Sequence, residues 1–180
     1  MAESPDNEKT TSLLDFLAEE HCKFRCVLEA LEADMAQSEE LARLRIRDRL
    51  FLLLPVLDRH EELEVLIFER SPFAGMEGSR DLIDQTRAQH RDIACLRADI
   101  LGALEFDDDC PFPVLSDLTK VLIDSLRWHL DSEENTLWPH YRACVSRSLD
   151  QTLTSQLHRD IEIIEEDLTR GAVSLHDGRY

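Results

Sequence analysis

Glycine and proline are scarce in this chain, with five and six residues among 180. Because these residues form most turns, their scarcity favours a few long helices over many short strands. Lysine is scarcer still, at Lys9, Lys23 and Lys120, and 20 basic residues face 38 acidic ones, which gives a formal net charge of −18. Nucleic acids and anionic membranes are bound by clustered positive charge, so we expect neither as a partner.

Long apolar runs and paired-cysteine motifs are also missing. The longest apolar run, Leu50 to Leu57, is far shorter than the roughly 20 residues that span a bilayer. Residues 1–11 are polar and acidic, without the basic start and apolar stretch of an export signal. The five cysteines are odd in number and include no CxxC pair, so we expect reduced thiols in a cytoplasmic protein.

Apolar residues recur at helical spacing in five segments. The first begins at Ser12, where Asp15 three residues later completes a capping-box pattern. Pro55 lies inside the second segment and predicts a kink or a local break. Ser116 is the predicted N-cap of the fourth helix. The second to fifth predicted helices span about Glu40–Arg70, Ser79–Leu104, Ser116 to the mid-140s, and Leu149–Arg170.

Long helices with short connections pack most simply as an up-down bundle. We therefore predict an all-α fold, in which an antiparallel up-down four-helix bundle over residues 12–147 is followed by an additional C-terminal helix over residues 148–170. Residues 1–11 are predicted to be a disordered N-terminal segment, and residues 171–180 to be a tail. No strand pattern competes with this interpretation.

Each of the first four predicted helices carries one histidine on its apolar stripe, and two of them add a glutamate one turn later. The histidines are His21, His60, His90 and His129, and the glutamates that follow on the second and fourth helices are Glu64 and Glu133. A buried carboxylate needs a positive partner, yet no lysine or arginine lies on these stripes. A metal ion would supply the missing charge.

The spacing of these residues repeats along the chain. Each histidine or glutamate of the second half follows its counterpart in the first half by 69 residues. Two similar helical hairpins would place a symmetric two-metal site on their common axis. Imidazole and carboxylate suit iron, manganese or zinc, and the set exceeds what one tetrahedral zinc needs. Counting donors favours two non-haem iron ions (Fe2+/Fe3+), joined by an oxo or hydroxo bridge, with one or two coordination positions open.

Other candidate ligands are less clear from the spacing. Glu61 directly follows His60, about 100° around the helix, so it could bind one ion from the side or be a solvated surface residue. His140, His158 and His176 have no inward carboxylate partner. We predict that these three histidines stay outside the metal site.

These residues resemble the motifs of the hemerythrin-like (HHE cation-binding) family over residues 12–147. The similarity lies in the helices of His21 and His90, in the run His60-Glu61-Glu62-Leu63-Glu64, and in His129-Leu130-Asp131-Ser132-Glu133-Glu134 followed by Leu137-Trp138-Pro139. The resemblance implies a four-helix bundle around a non-haem di-iron site, with Glu64 and Glu133 as bridging carboxylates. A ferritin-like site is a weaker alternative, because no Glu-x-x-His pair lies on the inward stripes.

The chain departs from the oxygen-carrying hemerythrins on its third helix. Those proteins have a second histidine one turn away, whereas here Ala94 follows His90 at that distance. The departure weakens the case for simple reversible O2 carriage. The run from His60 to Glu64 is more similar to the iron-sensing F-box hemerythrin domain, where the glutamate after the histidine also binds metal. That similarity places Glu61 in the predicted ligand set.

Three functions remain open at this stage. The first is a di-iron protein that binds O2, NO, peroxide or iron itself for sensing, storage or detoxification, as a monomer or a homodimer. The second is an enzyme that turns over peroxide or NO at the same centre, although no general base is evident. The third is a non-metal helical interaction module with an acidic surface, in which Cys22, Cys26 and Cys95 form a redox switch or, as we favour, are small core residues.

Overall fold

The structure, a computed structural model, describes residues 12–105 and 110–156, and these residues are helical with short connections and no β-strand. The α-helices are α1 (Leu13–Met35), α2 (Glu39–Glu64), α3 (Ser79–Glu105), α4 (Phe112–Ser132), α5 (Trp138–Cys144) and α6 (147–156). Two π-helical segments, π1 (Val65–Glu69) and π2 (Glu133–Leu137), continue α2 and α4, and a 3-10 turn spans Pro72–Gly75. The predicted all-α class is confirmed. The predicted disordered segment, most of the predicted fifth helix and the tail lie outside the described residues.

The start of α1 follows the sequence pattern closely. The Ser12 hydroxyl accepts a hydrogen bond from the Asp15 backbone N–H, and the Asp15 carboxylate accepts one from the Ser12 backbone N–H, each at 3.1 Å. These two bonds pair backbone donors that the first helical turn leaves free. The predicted capping box is therefore confirmed.

Helix α2 runs without a break through Pro55, so the predicted local break is absent. Proline removes the hydrogen bond to the carbonyl four residues earlier, which belongs to Phe51. Both Pro55 and Phe51 are exposed, so water can bind that carbonyl. On the opposite face, Leu53, Leu54 and Leu57 are buried and hold the helix against the core. The proline is tolerated because it lies on the solvent side.

The predicted N-cap of the fourth helix is wrong. Helix α4 begins at Phe112 with Pro111 as its N-cap, and Ser116 lies inside the helix and is buried. Pro113 occupies the first turn, where a missing N–H removes no helical hydrogen bond. The helical residues continue through π2 and α5 to Cys144, as the predicted end in the mid-140s requires.

Two apolar clusters fill the interior and show how the helices run. One joins the end of α1 to the start of α2 and the end of α3 to the start of α4, for example through Leu31, Ala42, Leu104 and Leu115. The other joins the opposite ends of the same helices, for example through Leu17, Ile67, Ile83 and Leu137. Each cluster therefore gathers one set of helix ends, and the two clusters lie at opposite ends of these helices. Buried polar residues lie between the two clusters, and these are the residues of the candidate site.

The surface corrects one expectation about the cysteines. Cys22, Cys26 and Cys95 are exposed free thiols, so their interpretation as small core residues is wrong. They lie on the helix faces turned away from the apolar clusters. No helix in the described ranges is both long and apolar enough to cross a membrane.

Candidate metal centre

Six side chains converge between the apolar clusters in two overlapping groups. Position A consists of His21, His60, Glu64 and Glu133, and position B consists of Glu64, His90, His129 and Glu133. Within each group the ligand atoms lie within 4.8 Å of one another. The structure thus brings together six of the seven sequence-predicted ligands, drawn from α1, α2, α3, α4 and π2.

The two glutamates belong to both positions because each divides its oxygens between them. Glu64 Oε1 lies 2.8 Å from His60 Nε2, and Glu64 Oε2 lies 2.9 Å from His90 Nε2. Glu133 Oε2 lies 3.4 Å from His21 Nε2, whereas Glu133 Oε1 lies 3.9 Å from His129 Nε2. In this arrangement one oxygen of each carboxylate faces each position, which is the arrangement that a carboxylate bridging two ions requires.

Six of the eight donor atoms are buried without a hydrogen-bond partner, which tests whether the residues fit a metal; the other two, His21 Nε2 and His60 Nε2, lie 3.2 Å apart. All four carboxylate oxygens of Glu64 and Glu133 are inaccessible and accept no hydrogen bond, and the same is true of Nε2 in His90 and His129. Although His90 Nε2 is near Glu64 Oε2, the alignment is not that of a hydrogen bond. Unpaired buried carboxylates are costly. Imidazole and carboxylate donors with free lone pairs fit one or more metal cations.

Burial and mutual contact shift the acidity of the glutamates in opposite directions. Burial, together with the neighbouring Glu64, raises the pKa of Glu133 well above its usual range. Burial alone would also raise the pKa of Glu64, but the His60 imidazolium outweighs it, and the pKa of Glu64 falls well below its usual range. Without a metal, Glu133 therefore holds its proton to a higher pH than an ordinary glutamate, whereas Glu64 ionises more readily.

The pKa values of the histidines are also shifted in opposite directions. Burial and the nearby His60 lower the pKa of His21 to about 4, and burial lowers the pKa of His129 to about 4. Burial would lower the pKa of His60 too, but the Glu64 and Glu20 carboxylates outweigh it and raise that pKa to about 9. In the metal-free site one proton on His60 balances Glu64. A bound metal would replace that proton and the one on Glu133.

Three of the four histidines make a hydrogen bond through Nδ1 to a side-chain oxygen outside the two positions. His21 Nδ1 contacts Glu134 Oε1 at 2.9 Å, and His60 Nδ1 contacts Glu20 Oε2 at 2.8 Å. His129 Nδ1 contacts Gln89 Oε1 at 3.0 Å. Because these oxygens accept the Nδ1 hydrogen, Nε2 is the nitrogen of each ring that can offer a lone pair to a metal, in the case of His60 once its second proton has been released.

These outer partners were missed by the sequence reasoning, although a signal was present. Glu20 and Gln89 each precede an inward histidine and are separated by the same 69 residues that separate the ligands. The difficulty is that each supports a histidine of the neighbouring helix and not the one beside it. Arg25 adds a further contact by donating to Glu134 Oε1 at 2.6 Å, which fixes that carboxylate behind His21.

Glu61 lies beside the centre but outside both groups. Its Oε1 accepts a hydrogen bond from Arg97 at 3.1 Å. Burial raises the pKa of Glu61, opposed by His90 and Arg97. The prediction that Glu61 binds metal stays a prediction.

Of the histidines predicted to lie outside the site, the structure describes one. His140 Nε2 lies 3.2 Å from Ser79 Oγ and belongs to neither metal position. His158 and His176 are outside the described residues.

The π-helical segments coincide with the metal centre and were not predicted. π1 begins directly after Glu64, and π2 begins at Glu133 itself. Such widened turns are frequent at functional sites. For π2 the sequence held a signal in Pro139, whose ring crowds the carbonyl four residues earlier and whose missing N–H favours local departure from α-helical bonding.

Comparison with known proteins agrees with this geometry. A sequence model described as the hemerythrin HHE cation-binding domain matches residues 12–169. Searches of curated proteins and of solved structures each found no match. The family match covers most of the chain, including every residue of positions A and B. The chain belongs to the hemerythrin HHE cation-binding domain family.

Proposed function

We propose that this chain is a non-haem di-iron protein of hemerythrin-like type. His21 and His60 would hold one ion at position A, His90 and His129 would hold the other at position B, and Glu64 and Glu133 would bridge them. The observation that carries the proposal is the set of four buried carboxylate oxygens that accept no hydrogen bond and face the imidazole nitrogens. The two apolar clusters, each of which gathers one set of helix ends, support an antiparallel up-down four-helix bundle over residues 12–147 as the scaffold.

The choice of iron rests on the donor set and the number of donors. Each position offers two imidazole nitrogens and two carboxylate oxygens, and no cysteine. This mixture suits iron or manganese better than a thiolate-preferring metal. Four protein donors leave a six-coordinate ion with open positions. When bound, iron would supply a redox-active Lewis acid for O2, NO or peroxide, so the function that we infer is sensing, storage or detoxification of such a ligand or of iron.

The protein contributes an interior that controls charge and water. His21, His60, His129 and both glutamates are at most 1% exposed. Phe24 packs against His60, and Trp138 against His21, with ring centroids 4.9 and 4.7 Å apart. A dry site strengthens the attraction between the carboxylates and a cation. The same packing limits the exogenous ligand to a small molecule.

The test is metal content after anaerobic reconstitution with ferrous iron. We expect about two irons per chain by elemental analysis and an optical spectrum that changes when NO is added. His129→Ala removes a donor of position B, so it should lower the iron content. His140→Ala is the matched control, because His140 is outside both positions and should leave the iron content unchanged.

A second measurement separates this proposal from a metal-independent interaction module. Removal of iron by a chelator should lower the melting temperature of the wild-type protein, because it leaves close carboxylates without a cation. A fully helical preparation that takes up no metal, and whose melting temperature is the same with and without chelator, would contradict the di-iron function.

A further inference from the structure

We propose that positions A and B differ in kind: position A holds its ion permanently, whereas position B exchanges its ion with solvent and accepts the small exogenous ligand. The inference deepens the proposed di-iron function and rests on it. Two independent features of the structure, access and the outer hydrogen bonds, distinguish the positions in the same direction.

Among the residues that the structure describes, the exposure of the six site side chains is greatest at position B. A cavity of about 10 Å3 borders position B, and Glu64, Thr86, His90 and Leu137 are among its lining residues. A volume of this size holds about one water molecule. Among the ligands, the His90 side chain is 12% exposed and the others are at most 1% exposed. The unpaired carboxylate of Glu64 is therefore reached past the edge of His90.

A surface groove continues this cavity to solvent. It shares Val65, Glu69 and His90 with the cavity, and it is further lined by Glu61 and Arg87 among others. Arg87 Nη2 lies 2.7 Å from Glu69 Oε2, where groove and cavity meet. An exposed ion pair of this kind contributes little to stability, so it opens readily. The groove carries more carboxylates than guanidinium groups, and its net negative charge favours the approach of a cation.

The outer hydrogen bonds differ between the two positions. Both histidines of position A are backed by carboxylates, Glu134 and Glu20. In position B, His129 is backed by the neutral amide of Gln89. In the part of the chain that the structure describes, Glu64 itself is the one carboxylate that pairs with His90. A carboxylate behind a histidine makes it a more basic ligand, and loss of such a partner typically weakens metal binding 10- to 100-fold.

The internal repeat shows where the difference arises. Under the 69-residue offset, Gln89 corresponds to Glu20 and Val65 corresponds to Glu134. Gln89 gives His129 a neutral outer partner where Glu20 gives His60 a carboxylate. Val65 has no side-chain oxygen, so the counterpart of the Glu134 contact is missing for His90. Val65 also lines the cavity, so the lost partner and the access route lie together.

Thr86 explains why the passage is open. It lies one turn before His90 on the same helical face and lines the cavity. Ala94, one turn after His90, is exposed. A larger side chain at residue 86 would therefore fill the space beside position B, whereas one at residue 94 would point to solvent.

The test compares iron release and azide binding in matched variants. Wild type, Thr86→Leu and Ala94→Leu are loaded with iron, the iron content is measured, and release to a chelator is followed over time. We expect wild type and Ala94→Leu to release iron in two phases of similar amplitude. Thr86→Leu should slow the fast phase about tenfold or more and weaken azide binding by a similar factor, because it fills the cavity.

Gln89→Glu provides a nearly isosteric second variant that keeps the packing. It should slow the fast phase about tenfold by placing a carboxylate behind His129. Conversely, Glu20→Gln should accelerate the slow phase alone. Release in a single phase from a protein that binds two irons would overturn the inference while leaving the di-iron function intact, and so would a slow phase altered by Thr86→Leu. Failure of wild type to bind iron would instead refute the di-iron function.

Discussion

Glu64 and Glu133 have the same orientation relative to the two positions: each turns one carboxylate oxygen toward position A and the other toward position B. Neither glutamate belongs to a single position. The two positions are therefore coupled through their carboxylates, although their histidines come from different helices. Substitution of either glutamate should therefore change metal binding at both positions.

The first prediction follows from this coupling. Glu64→Gln keeps the size of the side chain but replaces a charged carboxylate by a neutral amide with one oxygen acceptor. We expect metal affinity to fall at least about tenfold at both positions, as measured by competition with a chelator of known affinity. Glu62→Gln is the matched control, since Glu62 is an exposed residue of the same helix and should change little. Loss of only one ion in Glu64→Gln would contradict a shared carboxylate.

The second prediction concerns the pH dependence of the metal-free protein. The pKa of His60 is raised from 6.5 to about 9 in the folded state. Its contribution to stability is therefore complete below pH 6.5 and is lost as the pH rises through 9. The raised pKa of Glu133 acts in the same direction, because the unfolded chain releases that proton at a lower pH than the folded chain. We expect the free energy of unfolding to fall by on the order of 3 kcal/mol between these pH values.

Chemical denaturation in the presence of a chelator measures this fall. Metal affinity should change in the opposite sense over the same window and rise with pH, because binding displaces the protons of His60 and Glu133. A metal-free protein that is equally stable at pH 6.5 and pH 9 would show that these protons are not held.

The third prediction separates metal binding from metal-free stability. In Glu133→Gln a neutral amide takes the place of a carboxyl group whose pKa burial and Glu64 raise well above its usual range. The free energy of unfolding at pH 7 should stay the same or rise by about 1 kcal/mol, because folding no longer has to retain a proton. Metal binding should be lost. Thermal melts with chelator and metal analysis of the same sample give both answers, and a large loss of metal-free stability would contradict the raised pKa.

The fourth prediction addresses Glu61. Its carboxylate is held by Arg97 in this structure, so the predicted role as a ligand requires it to leave that ion pair when metal binds. We therefore expect Glu61→Gln to lower the metal affinity and change the optical spectrum, while lowering metal-free stability by no more than about 1 kcal/mol. An unchanged metal affinity would show that Glu61 is not a ligand. Arg97→Ala is the companion variant, since it frees Glu61 without altering it.

The fifth prediction tests the helical register of α2 with two neighbouring residues. Leu50 is fully buried, and Phe51 is 54% exposed. Leu50→Ala should cost about 2–5 kcal/mol through lost burial and a residual cavity, whereas Phe51→Ala should cost about 0.5 kcal/mol or less. Urea denaturation of both variants measures the difference. Similar losses at the two residues would show that the helix is rotated.

The sequence was sufficient for the parts of the site that lie on regular helical stripes. Spacing identified His21, Glu64 and the other side chains that converge at the candidate site because a helix repeats its faces every 3.6 residues. The start of α4 was predicted wrongly because Ser116 has the residue type of an N-cap, whereas the proline-rich segment before it fits the first turn equally well. Local patterns could not choose between these two starts.

The outer partners lie beyond what the stripes can show. Glu20 and Glu134 support histidines of other helices, so their roles depend on which helices are neighbours and at what rotation. The expected break at Pro55 is absent for a related reason. Pro55 faces solvent, and the direction in which a proline faces is set by tertiary packing. Rotation about the helix axis, more than helix position, is what the sequence left undetermined.

The two π-helical segments determine how the chain tolerates changes in length. Each contains one residue more than an α-helix of the same rise would need. Deleting one residue within Val65–Glu69 would therefore restore α-helical bonding and leave later side chains near their present faces, whereas the same deletion inside a regular α-helix turns everything after it by about 100°. Because both hairpins have their extra residue just after or at the shared glutamate, they align on each other without a gap. The chain can thus lose one residue beyond Glu64 without rotating the helix face that carries His60 and Glu64.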